Sequence, residues 1–214
     1  MSLPRPSSWR EMLDGLLYVW TRPRMLATML LAFLVNLTAY PVSGSLLPYV
    51  ARNIYETDAN GLGWLVAGFS FGALIGSIGM VVTGGPRHPE RSMIVYTAIW
   101  YVLLLAFGHV TTMTAGIAVL VVTGIAQSIA MISMAASLLR AADDRFRGRV
   151  MGVRSLAVYG LPLGLMAAGA LVERIGFPGT ITVYSAIGLT LTGLIGTRWR
   201  ASVWAHEPSA PLAR

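Results

Sequence analysis

Cysteine and lysine are both absent from this chain of 214 residues, and charged residues of any kind make up only 12% of it. Without cysteine there is no disulfide, no thiolate metal site and no thiol nucleophile. Without lysine there is no phosphate-binding loop ending in Gly-Lys and no Schiff-base chemistry. His88, His109 and His206 are scattered along the chain, so their spacing supports neither a metal cluster nor a serine triad. The expectation is a protein that is not an enzyme and carries neither metal nor cofactor.

What fills the chain instead is apolar: 55% of residues are hydrophobic and the mean hydropathy is +0.66, against roughly a quarter charged residues in an ordinary soluble domain. Charge falls in clumps, leaving uncharged runs at 25–51, 59–86, 92–139, 155–172 and 175–197. A bilayer-spanning helix needs about 20 such residues. The run 92–139 is 48 residues long and too long for one crossing, and Gly108, His109, Val110, Thr111 and Thr112 break it near the middle. Six crossings are therefore predicted, near 25–51, 61–83, 92–108, 113–139, 149–172 and 180–197. They make an all-α polytopic membrane protein.

Every basic residue is arginine, and the loops sort them. Fourteen share one side, among them Arg22, Arg24, Arg87, Arg91, Arg140 and Arg198, whereas only Arg52 and Arg174 fall on the other. The positive-inside rule puts both termini in the cytoplasm, which an even number of crossings also requires. The net charge of +7 then needs no nucleic acid to explain it; arginines beside anionic lipid suffice. Residues 198–214 are read as a cytoplasmic tail.

The first 24 residues lack the short apolar core of a cleavable leader, so span one is the expected anchor. Residues 7–22 read as a separate amphipathic helix. Ser8 and Glu11 fit a capping box, Trp9, Met12, Leu13, Leu16 and Trp20 form one apolar stripe, and Pro23 ends it. Such a helix lies flat on the cytoplasmic membrane face or docks on a partner protein.

The stretch Val95-Tyr96-Thr97-Ala98-Ile99 returns 88 residues later as Val183-Tyr184-Ser185-Ala186-Ile187. The same offset aligns Phe71-Gly72 and Gly76 in span two with Tyr159-Gly160 and Gly164 in span five, Met25 with Met113, and Ser45 with Ser133. Three spans are repeated, at 25–108 and 113–197. Three is odd, so the second repeat enters the membrane from the opposite side. Inverted three-helix repeats are a signature of secondary transporters, whose substrate path follows the pseudo-symmetric interface. Gly68, Gly72 and Gly76, with Gly160 and Gly164, recur every fourth residue and let helices pack backbone to backbone; tight packing and gating are both consistent with them.

At Asp143-Asp144-Arg145-Phe146-Arg147-Gly148-Arg149-Val150-Met151-Gly152 the chain resembles the major facilitator superfamily, whose C-terminal half often carries a loop like DELRGRVMG before its penultimate helix. Leu46-Leu47-Pro48-Tyr49-Val50-Ala51-Arg52 looks like the LLPLFAR segment of drug-exporter-like members, and Gly61-Leu62-Gly63-Trp64 followed by Gly72 to Gly76 is similar to what comes next there. The resemblance runs from about residue 8 to 200 and implies half of that fold. Full-size members have twelve spans in two halves of like orientation. The resemblance therefore implies a small-molecule exporter of a bacterial inner membrane, working by alternating access in partnership with a second copy or a separately encoded half. A non-transporting membrane assembly subunit is the rival reading.

In that family the first and fourth helices of each half line the cavity, so the polar residues of spans one and four are the substrate candidates: Asn36, Thr38, Tyr40 and Ser43, with Gln127, Ser128 and Ser133. Hydrogen bonding between helices would serve the same residues equally. Pro41 lacks an amide proton and frees the carbonyl of Leu37, which predicts a kink. Arg154 is drawn into a span; it either snorkels outward or pairs with Asp143, Asp144 or Glu90 in a cytoplasmic latch, the role the resemblance implies for Arg147, Gly148 and Arg149. No Asp or Glu lies inside any predicted span, although proton-coupled carriers commonly use such acids.

Overall fold

The computed structural model describes residues 17–143 and 146–200, the side chains of Arg147 and Arg149 excepted. The described chain is helical from end to end, with short connections. The predicted interfacial helix over 7–22 lies outside these residues except for its last turns, and so do 201–214 of the tail.

Five helical stretches are long and apolar enough to cross a bilayer. The first runs from Pro23 to Ser45; it begins as α1 (Pro23–Leu34), continues through two wider-wound segments, and is followed by the short helix α2 (Leu47–Asn53). Helices α3 (Ala59–Val82), α4 (Pro89–Phe107) and α5 (Met113–Ala141) supply the next three. Asp58 starts α3 by accepting from the amides of Asn60 and Gly61, filling two of the donor positions a helix start leaves empty. After α6 (Arg147–Leu156) and a single tight turn comes α7, Gly160–Arg198.

At 39 residues α7 would be nearly 60 Å long if straight, about twice the hydrocarbon thickness. It does not run straight. Gly176 sits at φ 72°, ψ 174°, backbone open only to glycine. The Tyr184 hydroxyl donates to the carbonyl of Gly164 at 2.6 Å, although twenty helical residues would separate them by about 30 Å. The chain has doubled back, and α7 is two antiparallel limbs, 160–175 and 177–198. This corrects the loop expected over 173–179: one glycine makes the reversal and helix continues on both sides.

Side-by-side contacts give the directions. Gly68, Gly72 and Gly76 of α3 meet Ile117, Val121 and Ile125 of α5 in ascending order, so these helices are parallel. Gly160 and Gly164 meet Phe33 and Leu37 of the first span, again ascending. Thr28 touches Ser137 while Tyr40, farther along, touches Gln127, so the first span and α5 are antiparallel. One parallel glycine crossing thus appears twice, the second turned over. The partners obey the offset as well: Val121 and Ile125 lie 88 residues beyond Phe33 and Leu37. The inverted repeat read from the sequence is present contact by contact.

These crossings are tight. A methyl group on Gly72 would strike the Val121 carbonyl, and one on Gly164 would strike that of Leu37. Pro41 has no amide proton to give Leu37 O, and that carbonyl faces the bare Cα of Gly164. Around this frame Trp100, Tyr101, Phe107, Leu104 and Met93 of α4 are buried against the first span and the second limb of α7. Tyr101 fits only because position 188 is glycine.

Candidate functional site

The first span carries the most polar apolar-phase segment of the chain. Its winding is unusual: Val35–Ala39 and Pro41–Ser45 close with bonds reaching five residues back, as in Leu46 N to Pro41 O at 2.9 Å. Proline at 41 supplies the cause, since its ring removes a donor and crowds the preceding turn. The expected kink is thus a local widening of the helix rather than a sharp bend at one residue.

Within this segment most polar groups are satisfied at home. Asn36 Nδ2 donates to Ala32 O at 2.8 Å, Thr38 Oγ1 to Leu34 O at 2.9 Å and Ser43 Oγ to Ala39 O at 3.0 Å, each one turn back. That is the favoured choice for short polar side chains where no water competes. Thr38 Oγ1 also lies 2.7 Å from the Tyr101 hydroxyl, which in turn reaches Leu34 O at 3.3 Å. Thr38 and Ser43 are buried inside the bundle. Ser133 is fully buried too, and its hydroxyl has no hydrogen-bond partner. Its position one turn from Ser137, with Thr97 one turn from Met93, places both above the layer where Thr28 Oγ1 contacts Met93 Sδ and Ser137 Oγ.

Two candidates remain together and half-exposed. Gln127 Nε2 donates to the Tyr40 hydroxyl at 2.8 Å, joining α5 to the first span, the pair of helices that the repeat relates to each other. The Tyr40 ring stands edge-on to Trp100 at 5.2 Å. Ser128 lies beside Gly76 and Asn36 is at the edge of burial. On this face Tyr40 and Gln127 are the candidates the structure brings into contact, whereas Asn36 and Ser128 are themselves buried. Trp100 and Tyr101, which orient this face from α4, were not singled out in the sequence; two adjacent aromatics in mid-span were the signal.

A second cluster closes the arginine-rich end. Arg22 pairs with Asp143 at 3.0 Å and donates to Ala141 O at 3.2 Å. The Tyr18 hydroxyl donates to Asp143 Oδ2 at 2.8 Å and lies 3.1 Å from its amide nitrogen. Arg22 sits over the Tyr18 ring at 4.2 Å, and that ring stacks on Phe146 at 4.3 Å. Beneath them Val19, Met25, Leu138, Val150 and Val153 form a separate apolar cluster. The clasp ties the entry of the first repeat to the end of the first helix of the second. Asp143 belongs to it, but its cation is Arg22 and not Arg154. Gly148 is exposed within α6, and Asp144 lies outside the described residues.

Among the described residues no group of three His, Asp or Glu is placed to hold a metal. The sequence profile of the Major Facilitator Superfamily matches residues 28–211. The multidrug efflux pump Tap of Mycolicibacterium fortuitum is 27% identical over 187 residues, covering 85% of this chain and 44% of its own length. Proteins of the same name from Mycobacterium bovis and Mycobacterium tuberculosis are 29% identical over 192 residues, 86% of this chain and 44% of theirs. The chain thus spans a little under half the length of the curated relatives it matches.

Proposed function

The chain belongs to the Major Facilitator Superfamily, and from that premise we propose that it acts as one six-span half of a secondary transporter that moves a small amphipathic solute out of the cell by alternating access. The observation that carries this reading is the half-exposed Tyr40–Gln127 pair, a polar contact between the repeat-related helices at which transporter sites are built. Tyr40 and Gln127 contact the solute, Asn36 and Ser128 flank it, and the widened turn at Pro41 gives the face its mobility.

The working transporter needs a second six-span unit, supplied by a second copy, a separately encoded half or the remainder of a longer polypeptide. Spans two and five offer it matched surfaces. Phe71, Ile75 and Ile78 are 57%, 41% and 53% exposed, and their counterparts 88 residues on, Tyr159, Leu163 and Met166, are 70%, 57% and 76% exposed. Both termini are cytoplasmic in this reading. The clasp of Tyr18, Arg22 and Asp143 holds that end shut in one state, and Arg147, Arg149, Arg154 and Asp144 take it up as the halves rock.

Purified protein in liposomes, loaded with an amphipathic fluorescent dye, tests the proposal. Dye flux should appear when two halves are present and fall at least tenfold in Tyr40→Phe combined with Gln127→Leu, with the mass in detergent unchanged. A second reading, a non-transporting assembly subunit, is favoured by the lack of any acidic residue in the interior of the spans, Glu90 and Glu173 standing at their ends. A stable half with no flux beside any second half would select it.

A further inference from the structure

Between the first span and the second limb of α7 lies a groove of about 640 Å³. Leu30, Phe33 and Leu37 form one wall, Leu191 and Leu194 the other. The lining is hydrocarbon along its length, and the stretch from residue 30 to 37 gives it a depth of about 11 Å, roughly a third of the hydrocarbon core. At its mouth stand Arg198 and Trp199, where α7 ends. The Arg198 guanidinium lies 5.7 Å from the Trp199 ring centre. Thr197, the other polar group of the lining, turns its hydroxyl back to Gly193 O at 3.0 Å. Among the described residues Arg198 forms no ion pair and no Asp or Glu lines the groove.

We propose that this groove is a binding site for one anionic phospholipid of the leaflet at the arginine-rich end, its acyl chain lying in the slot and its phosphate on Arg198. The chemistry favours that occupant. A guanidinium matches a phosphate oxygen pair in plane and charge, and tryptophan is at home at headgroup depth. A cationic amphiphile would meet Arg198 with nothing to offset the repulsion. A zwitterionic lipid offers the same phosphate but brings an ammonium that offsets its charge at Arg198, so it is held less tightly. The site lies on the face of the first span opposite the α5 contacts, against the residues whose carbonyls meet Gly160 and Gly164, so the bound chain braces the span where its winding changes.

The test uses the full chain in mixed micelles, with native mass spectrometry counting retained phosphatidylglycerol and phosphatidylcholine. Wild-type protein should retain one phosphatidylglycerol with about fivefold preference, the weight of a single arginine beside an anionic lipid. Arg198→Gln should bring the preference to parity, while Arg87→Gln, at the same end but away from the groove, should leave it unchanged. Leu194→Trp, which fills the slot, should reduce retention of both lipids. Persistence of the preference in Arg198→Gln, or its equal loss in Arg87→Gln, overturns the proposal, the latter by showing only diffuse surface charge. Removal of residues 201–214 should leave retention unaltered; a rise on truncation would assign the groove to that segment and overturn the lipid site.

Discussion

Replacing Gly72 by alanine adds one methyl group where α3 and α5 are closest. That methyl would strike the backbone carbonyl of Val121, which cannot rotate away as a side chain would, so the two helices must separate. Overpacking costs about 1–3 kcal/mol, and against rigid backbone the upper part of that range applies, about 2–3 kcal/mol. Alanine recovers up to about 1 kcal/mol through its better helix propensity, leaving a net loss of about 1–2 kcal/mol. For a chain of this size each kcal/mol shifts the melting temperature by roughly 2–4 °C, so Gly72→Ala should melt about 2–8 °C lower. Gly164→Ala, facing the Leu37 carbonyl, should behave alike, because there too the added methyl meets backbone that cannot turn aside; its own counterpart at the offset of 88 is Gly76. Gly79 and Gly169 have no atom within 4 Å of the added carbon; alanine there should raise the melting temperature by a few degrees. Gly160, where the nearest atom is Phe33 O at 3.0 Å, should fall between. Scanning fluorimetry on the purified protein in one detergent measures all five. Equal shifts for Gly72→Ala and Gly79→Ala would refute the claim that backbone proximity holds the repeats together.

The clasp should matter more to opening than to stability. Arg22 and Asp143 are 41% and 62% exposed, so Arg22→Gln should cost under about 1 kcal/mol in melting, yet broaden the distance between spin labels on cysteines placed at Leu17 and Leu139. Thr38→Val leaves Tyr101 its bond to Leu34 O and should cost about 1 kcal/mol, again read by melting. Asp58 is held below the usual carboxylate range, chiefly by the Gly61 amide and then by Asn60. Its support for the start of α3 is therefore present above the ordinary value near 4 and is lost as pH falls through the depressed one. Amide exchange at residues 60–62, corrected for intrinsic rate, should accelerate on moving from pH 6 to pH 3 in the wild type and stay level in Asp58→Asn.

Much of the frame was legible because lipid imposes a simple grammar. Long uncharged runs had to be helices, and the offset of 88 located Gly72, Gly76, Gly160 and Gly164 before any contact was known. The reversal at Gly176 was read as a seven-residue loop, since Glu173 and Arg174 mark a charged break while nothing in composition reveals that a single positive φ can turn the chain. Thr38, Ser43 and Ser133 read equally as cavity residues or as hydrogen bonds between helices, because polarity in a span allows both. The physical preference of a hydroxyl for the carbonyl one turn back, or for a neighbour such as Tyr101, leaves no periodic trace. The clasp escaped for another reason: Arg22 and Asp143 are 121 residues apart, and only packing brings them together.

The widened turns on either side of Tyr40 have a geometric consequence of their own. Each holds one residue more than an ordinary turn, and rewinding one to standard pitch rotates everything beyond it by about 100° while advancing it about 1.5 Å. The first span thus contains two stored increments of screw motion, one below the phenol and one above. Releasing the lower increment would swing the phenol to a new azimuth while Phe33 stayed seated against Gly160, so the polar face can be re-aimed by torsion at the expense of the Leu37 and Pro41 contacts on Gly164.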